Sequence, residues 1–321
     1  MPSLFATVPC EDAGSKYCPC QLALTGNCLA CPVLNQGGAC DDCAWSGTCV
    51  LVEAAWNRGE ARPGRSEYEV TVVDRVQLAP PAFALEIKVP PGLVDGLQPS
   101  GSFLMVRPAG SEHWFNVPLS VARLDPARGT VTHFVQVAGP KTRTLEQHRG
   151  QLVVQGPFAS GLVGRRYLQA RQAGRSLLVA KGIGQGPALH LATNLLAAGG
   201  RVDALLGPGE LGRVVIDGEL AALGASVTVL KRERDKNGGT FRLFLSRGKY
   251  DLLVSAGSDQ QHQALWKLAT KVSPGTQMVY TNNAVMCCGE GICGSCGTQL
   301  DAGFTRACKA RLAAADVLAR N

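Results

Sequence analysis

The stretch Leu177-Leu-Val-Ala-Lys-Gly-Ile-Gly-Gln-Gly-Pro187 decides the fold of the second half of this chain of 321 residues. Its first four apolar residues predict a buried strand, and the glycines that follow predict a tight turn. Pro187 suits the first turn of a helix, and an Ala- and Leu-rich run continues to Ala198. A strand, a glycine turn and a helix in this order are typical of an α/β domain with a parallel sheet.

The same glycine turn is a candidate dinucleotide site. Where a buried strand turns into a helix, backbone amides and the positive end of the helix can receive a pyrophosphate. The spacing departs from G-x-G-x-x-G, and the needs of a tight turn are the alternative explanation. The candidate residues are Gly182, Gly184, Gln185, Gly186 and Pro187. Further strands are predicted at 202–206, 227–230 and 251–255, and a helix at 261–269.

The region before this domain has a different pattern. Short runs rich in β-branched residues recur between turn signals, which predicts strands. That many short strands at this spacing indicate a small antiparallel barrel. The runs lie at 68–76, 83–89, 103–106, 117–124, 130–137 and 152–154.

Four cysteines near the C-terminus have the spacing C-x4-C-x2-C-x11-C, and they are Cys288, Cys293, Cys296 and Cys308. This is the plant-type [2Fe-2S] spacing with an unusually close fourth ligand. Interleaved glycines let the backbone wrap a small inorganic core without Cβ clashes. A structural zinc site and free core thiols are the alternatives. Cys287 is interpreted as a packed thiol or as a replacement for Cys288 in the ligand set.

The N-terminal segment carries eight more cysteines in a context poor in apolar periodicity: Cys10, Cys18, Cys20, Cys28, Cys31, Cys40, Cys43 and Cys49. Such a segment is expected to need metal to fold. Cys28, Cys31, Cys40 and Cys43 resemble a two-knuckle zinc ribbon, and the other four would close a second centre. Two [4Fe-4S] clusters are the other interpretation. A breaker-rich linker at 57–65 ends the segment.

Composition limits the class of protein. The chain is 45% hydrophobic, which indicates a globular protein, and thirteen cysteines without a secretory leader favour a reducing compartment, the cytoplasm. No apolar run is long enough to span a membrane, so direct membrane insertion is not expected. The net charge of +7 is moderate, and its scattered basic residues do not indicate nucleic-acid binding.

The barrel, the α/β domain and the C-terminal cysteines, in this order, resemble the electron-transfer subunits of dihydroorotate dehydrogenase, which are members of the ferredoxin-NADP reductase superfamily. The resemblance covers Ser66 to Ala315. It implies FAD on the barrel, NAD(P)H on the α/β domain and a [2Fe-2S] cluster. The implied flavin residues are Pro118, Leu119, Ser120, Gly139, Lys141, Thr142, Gly156 and Pro157. Gly257 and Ser258 correspond to a turn under the nicotinamide, and no acid or base is nominated because positioning does most of the chemistry.

Two departures from the family pattern stand out. Val117 occupies the position of the usual flavin-phosphate arginine, so Lys141, Arg123 or Arg143 would have to supply the charge. FMN, or a degenerate site without flavin, therefore stays open as an alternative. The family's cysteine before Gly257 is also absent.

The basic run 231–236 is either an NADPH marker or a solvated loop. Thr142 also suits a helix N-cap before a helix at 144–148.

The sequence predicts four parts: a cysteine-rich metal domain at 1–64, an FAD barrel at 65–164, an NAD(P) domain at 165–283 and a [2Fe-2S] module at 284–321. The expected function is electron transfer between NAD(P)H and a partner oxidoreductase subunit in a hetero-oligomer, with ferredoxin as another candidate partner. The alternatives are a metal-stabilised assembly subunit without flavin and a stand-alone NAD(P)H-acceptor reductase.

Overall fold

The computed structural model describes residues 6–43, 47–169, 174–230 and 239–320. The basic run 231–236 and Trp45, which belongs to the predicted N-terminal cysteine pattern, lie outside these ranges. In the described ranges the strands form two four-stranded antiparallel sheets, one six-stranded sheet and a two-stranded hairpin. The predicted mixture of antiparallel sheets with an α/β sheet is therefore confirmed.

The N-terminal segment is short in regular structure and packs against the C-terminal part of the chain. Its α-helices are α1 (Gln21–Leu24) and α2 (Val50–Trp56). Cys10 forms an isolated antiparallel bridge with Ala310. On either side of it, the Glu11 amide donates to the Lys309 carbonyl and the Arg311 amide donates to the Pro9 carbonyl, each at 2.7 Å. The two ends of the chain are thus joined by backbone hydrogen bonds.

Eight strands build the first two sheets. They are β1 (Glu67–Val70), β2 (Val72–Ala79), β3 (Ala82–Lys88), β4 (Phe103–Pro108), β5 (Val117–Ser120), β6 (Arg123–Asp125), β7 (Thr130–Gln136) and β8 (Leu152–Phe158), with helices α3 (Pro91–Leu97) and α4 (Pro140–Gln147). The strand orders are β1-β8-β4-β5 and β2-β3-β7-β6, and every pairing is antiparallel. Alternating residues such as Leu85, Ile87 and Val131 meet in one shared core, as expected for a closed barrel.

The third sheet has the order β12-β11-β10-β13-β14-β9, in which all strands except β9 are parallel. The elements of this half are β9 (Leu162–Val163), α5 (Arg166–Gln169), β10 (Arg175–Lys181), α6 (Gln185–Ala197), β11 (Arg201–Gly207), α7 (Asp217–Ala222), β12 (Ser226–Val229), α8 (Gly239–Arg247), β13 (Leu252–Ala256), α9 (Asp259–Val272) and β14 (Gln277–Thr281). The chain ends with the hairpin of β15 (Gly297–Leu300) and β16 (Gly303–Arg306), followed by α10 (Ala314–Leu318). No helix in the described ranges has the length and apolar character needed to cross a membrane.

The barrel and the parallel sheet meet along helix α6 and strand β7. A Cβ added at Gly186 would lie 3.2 Å from the Phe134 side chain, so the glycine permits close contact between helix and strand. Asn194 on the same helix donates to the Gln98 carbonyl at 2.9 Å. A bidentate pair between Arg123 on β6 and Glu219 on α7 adds an ionic contact across this joint.

Replacing Gly184 by alanine tests the tight packing at the start of α6. The added Cβ would lie 2.6 Å from the Ala256 carbonyl group, which is backbone and cannot turn aside. We expect a loss of about 1–3 kcal/mol in the free energy of unfolding, measured by denaturant titration. Gly218→Ala is the control, because a Cβ there meets nothing within 4 Å, and its stability should be equal or slightly higher. Equal stabilities of the two variants would contradict this packing.

Candidate functional site

A cleft of about 780 Å³ lies between the barrel and the carboxyl ends of the parallel strands. This is the edge of an α/β sheet at which ligands usually bind. The barrel contributes β5, β7 and the turn before α4, and the sheet contributes the turns that follow β10, β11 and β13. Nine of the residues singled out from the sequence line this one cleft: Pro118, Leu119, Ser120, Thr142, Gly182, Gly184, Pro187, Gly257 and Ser258.

The glycine turn after β10 lets the backbone approach closely. Gly182 has a φ of +58°, a conformation that favours glycine. A Cβ at the facing Gly209 would lie 2.5 Å from the Gly182 nitrogen. The helix that begins at Gln185 is 13 residues long and starts at this turn, so its N-terminal end faces the cleft. An anionic group would find amides and a helix dipole there.

Two residues predicted in the same motif, Gln185 and Gly186, make packing contacts. The Gln185 side chain is fully buried, accepts from the Val215 amide at 2.8 Å and donates to the Arg213 carbonyl at 3.1 Å. Gly186 lies against Phe134, as described above. Neither residue lines the cleft, and their part in nucleotide binding stays a prediction.

The turn before α4 is organised by one hydroxyl. The amides of Ala138 and Gly139 donate to Thr142 Oγ1 at 3.0 and 3.2 Å, and that hydroxyl donates to the Gly139 carbonyl. The helix begins at Pro140, so the expected helix start at Thr144 with Thr142 as its N-cap is wrong. Thr142 sits within the first turn, where its hydroxyl fixes the backbone that borders the cleft.

The structure separates the three cations considered as substitutes for the missing arginine. Arg123 is engaged by Glu219. Lys141 Nζ lies 3.5 Å from the Asn116 carbonyl, one residue before Val117 at the start of β5. Arg143 is exposed on α4. Gly156 and Pro157 lie on β8, where a Cβ at Gly156 would meet Leu104 at 2.6 Å, so this pair fits barrel packing.

Two neighbouring polar residues of α9 were not identified by sequence patterns: Gln261, which lines the cleft, and His262, which is buried and does not line it. Gln261 Oε1 is buried beside Gly257 and has no hydrogen-bond partner among the described residues, while its amide donates to the Val179 carbonyl at 3.2 Å. His262 contacts Ser255 Oγ at 2.8 Å and Thr281 Oγ1 at 3.2 Å. Burial lowers the pKa of His262 to about 4, so the ring is neutral near pH 7. Both residues lie on α9, and the turn between β13 and α9 places the start of this helix beside the cleft.

The structure draws the four C-terminal cysteines together in pairs. The thiols of Cys288 and Cys293 hydrogen-bond each other, and those of Cys296 and Cys308 do the same. The hydrogen bond from Cys308 lowers the pKa of Cys296 to about 6 and raises the pKa of Cys308. The Glu290 amide also points at the Cys288 sulfur, at 3.4 Å. Cys287 is half-buried beside this group.

This cysteine loop lies against the barrel and the cleft. Cys296 and Cys308 share a buried cluster with Phe103, Met105 and Phe158 of the barrel. Ser160 donates to the Cys308 carbonyl at 2.7 Å, and Asn282, which lines the cleft, donates to the Ser160 carbonyl at 2.8 Å. Two consecutive hydrogen bonds therefore connect Asn282, in the lining of the cleft, to Cys308.

A buried charged quartet, Asp12, Arg65, Glu290 and Lys309, fastens the N-terminal segment to this loop. Lys309 Nζ lies 2.5 Å from Asp12 and 2.6 Å from Glu290 and is 1% exposed. Arg65 contacts the same two carboxylates at 2.6 and 2.8 Å. Burial alone would raise the pKa of Asp12, but the two cations outweigh it and lower that pKa. Lys309 directly follows Cys308, so the quartet adjoins the candidate cluster ligands.

The N-terminal cysteines divide into two groups. Cys18, Cys28 and Cys31 are buried in one cluster that Cys10 flanks, and Cys20 is half-buried. Cys40, Cys43 and Cys49 are exposed. Of the four residues that resemble a zinc ribbon, Cys28 and Cys31 are buried and Cys40 and Cys43 are exposed, so their joint role as ligands stays a prediction. Among the described residues, no three Cys, His, Asp or Glu side chains already have the geometry to hold a metal ion.

Comparison with known proteins agrees with the resemblance to dihydroorotate dehydrogenase electron-transfer subunits that the sequence motifs indicated. The chain is 30% identical over 146 residues to the electron transfer subunit of dihydroorotate dehydrogenase B from Shouchella clausii, an alignment that covers 44% of this chain and 54% of that protein. It is 27% identical over 211 residues to a probable subunit of the same kind from Methanothermobacter thermautotrophicus, covering 64% and 73% of the two chains. The resemblance predicted from the sequence is confirmed. The first alignment spans only about half the relative's length.

The fold comparison agrees. The structure of an NADH-dependent reduced ferredoxin-NADP oxidoreductase superposes with a TM-score of 0.63 and 21% identity, covering 79% of this chain and 94% of that one. At this identity the match shows a shared fold. No protein-family model matches the chain.

Lys309→Met tests the charged quartet. The change leaves Asp12 and Glu290 with only Arg65 in a buried site, and unpaired buried carboxylates are costly. We expect unfolding to become easier by about 3–5 kcal/mol, measured by denaturant titration. Arg320→Met is the control, because its partner Asp301 is exposed, and it should change stability by less than about 1 kcal/mol. Similar losses in the two variants would show that the quartet contributes no special stability.

His262 should remain neutral through the physiological range. Because its pKa falls to about 4 in the fold, below the ordinary value of 6.5, this residue gives its full stabilisation above pH 6.5 and loses it as the pH falls towards 4. Nitrogen-15 NMR of labelled histidines should show its ring unprotonated from pH 8 down to about pH 5. A midpoint near 6.5 would mean that the ring is solvated and the network is absent.

Proposed function

We propose that the chain is an electron-transfer flavoprotein that exchanges hydride between NAD(P)H and FAD and passes single electrons through a [2Fe-2S] cluster to or from a partner oxidoreductase. The observation that carries this proposal is the cleft itself, because the barrel strand β5 and the glycine turn after β10 both line it. The dihydroorotate dehydrogenase B relatives, which are named as electron transfer subunits, support the same class of activity.

On the barrel side, we propose that FAD lies along Pro118, Leu119 and Ser120, with its phosphates at the turn that Thr142 organises. The glycine at 139 leaves open space above this turn, since a Cβ there would meet nothing within 4 Å. Lys141 is the proposed substitute for the arginine missing at Val117, because its ammonium reaches the start of β5. The Arg123 guanidinium is engaged by Glu219 and is therefore a poorer candidate.

On the sheet side, we propose that the nicotinamide nucleotide uses the amides near Gly182 and Gly184 for its phosphates and the Gly257 turn for its ring. The unpartnered Gln261 Oε1 beside Gly257 suits a donor such as a carboxamide N–H group. The role of these residues is to hold the nucleotide against the flavin and exclude water, so no proton-transferring side chain is needed.

The donor chemistry at Cys288, Cys293, Cys296 and Cys308 suits an iron-sulfur cluster. Two thiol pairs, an amide directed at Cys288 and positive-φ glycines at 289, 291 and 294 are features that such a loop requires. Contact of this loop with the barrel core supports short-range exchange with a flavin in the cleft. FMN in place of FAD remains the alternative occupant.

The remaining parts of the proposal concern the whole assembly. We propose the domain boundaries 1–64, 65–164, 165–283 and 284–321, an iron-sulfur or zinc centre on the N-terminal cysteines, and a protein partner that holds the terminal substrate. The cytoplasm is the proposed compartment, which agrees with free thiols at all the cysteines of the described ranges.

The direct test of this activity is anaerobic mixing of the FAD-loaded chain with NADH and, separately, with NADPH. At least one nucleotide should bleach the flavin absorbance, and the iron-sulfur absorbance should fall afterwards. The Cys293→Ser/Cys296→Ser variant is the control, in which the flavin should still bleach without the later change. Failure of both nucleotides to bleach bound flavin would overturn the proposal.

Thr142→Val tests the flavin turn. Without the hydroxyl, the amides of Ala138 and Gly139 lose their acceptor and the turn loosens. We expect FAD to bind at least about tenfold more weakly, measured by flavin fluorescence titration of the flavin-free chain. Thr144→Val is matched to it, since that exposed hydroxyl bonds only within α4, and should leave the affinity unchanged. Equal affinities in the two variants would remove Thr142 from the flavin site.

A further inference from the structure

We propose that Cys18, Cys20, Cys28 and Cys31 form one four-thiolate metal site, which lies directly beside the C-terminal cysteine loop. This deepens the proposed function by naming the thiols of the N-terminal centre, and it rests on the proposal that this segment binds a metal. The spacing is C-x-C-x7-C-x2-C. Thiolates in such sets bind zinc or iron-sulfur clusters.

The first observation is that burial selects these cysteines. Cys18, Cys28 and Cys31 lie together in a small buried cluster that α2 covers with Val50. Cys20 is half-buried and is close enough to interact electrostatically with the sulfurs of both Cys18 and Cys28. The four residues therefore lie close together. Their side chains, as described, are not arranged as a metal-binding group, so binding would require the thiols to reorient.

The second observation is the pattern of amides around the sulfurs. The Cys28 sulfur accepts hydrogen bonds from the amides of Ala30 and Cys31. The Cys31 sulfur accepts from the Leu34 amide at 3.5 Å, and the Cys18 sulfur accepts from the Gly14 amide. Amides turned toward sulfur stabilise a thiolate and are the usual surroundings of a metal-bound cysteine. A neutral thiol packed in an apolar cluster would not require this arrangement.

The same geometry disfavours the alternative set. Cys40 and Cys43, although also spaced C-x2-C, are exposed at the start and just past the end of the short 3-10 turn Cys40–Asp42, outside the buried cluster. Cys49 is exposed at the N-terminal end of α2. Cys10 only flanks the buried cluster, and its backbone is bridged to Ala310 at the other end of the chain.

The proposed site adjoins the C-terminal loop through helix α1, which directly follows Cys20. A Cβ added at Gly291 would lie 2.8 Å from Leu22 of that helix, so the two segments are in close contact. Lys309, which follows Cys308, interacts electrostatically with Cys20 and forms an ion pair with Asp12 of the N-terminal segment. A metal on the four thiols therefore lies next to the candidate cluster ligands.

The test compares two matched pairs in the anaerobically purified full chain, Cys28→Ser/Cys31→Ser and Cys40→Ser/Cys43→Ser. Iron, sulfide and zinc are counted per chain, and bound FAD and the [2Fe-2S] spectrum are recorded separately. The first pair should lose about one zinc or about four irons per chain, and the second should lose none. Loss in the second pair, or no loss in the first, overturns the proposal.

A wild-type chain with flavin and two irons but no further metal would overturn this site and leave the proposed function intact. If Cys28→Ser/Cys31→Ser does not fold, the site is tested instead in the wild-type chain, by alkylating its cysteines with and without a chelator and identifying the modified ones by mass spectrometry. Cys20 should react only after a chelator removes the metal, while Cys40, Cys43 and Cys49 react in both states. Chelator-dependent protection of Cys40 and Cys43 would contradict the assignment.

Discussion

The close contact between helix α6 and strand β7 is the constraint on which the rest of the site depends. It fixes the barrel against the carboxyl ends of the parallel strands, and the cleft is the space that this contact leaves open. Gly186 permits the contact because any side chain would meet Phe134. The glycine turn that precedes α6 is thereby held at the same mouth as β5. The barrel strand β5 and the glycine turn after β10 therefore line the same cleft.

A second joint links the ends of the chain to this centre. The quartet of Asp12, Arg65, Glu290 and Lys309 uses two acids and two bases in a buried position, and each end of the chain contributes one acid and one base that contact each other and the charges of the other end. Separating the two ends would break the contacts of Arg65 with Glu290 and of Lys309 with Asp12, so each charge would lose one of its two partners. The N-terminal segment is therefore part of the folded structure around the C-terminal cysteines, and any centre it holds is fixed in position relative to them.

The sequence was sufficient for the main elements, because their signals are local. Short runs rich in β-branched residues between turn signals predicted the barrel strands, and the run from Leu177 to Pro187 predicted a strand, a turn and a helix. The roles of Gln185 and Gly186 were not predictable, since packing and ligand binding use the same residue types at a strand-helix turn. Gln261 and His262 gave no signal because their importance comes from a neighbouring turn distant in sequence. The grouping of the N-terminal cysteines likewise depends on burial, which spacing alone does not determine.

The most direct measurement of the central claim is the content of flavin, iron, sulfide and zinc per chain after anaerobic purification of the full protein. An electron-transfer flavoprotein predicts about one FAD with at least about two irons and two sulfides, and additional metal from the N-terminal segment. Zinc without flavin, in a chain that also fails to take up added FAD, would contradict the account and leave a metal-stabilised protein without redox function.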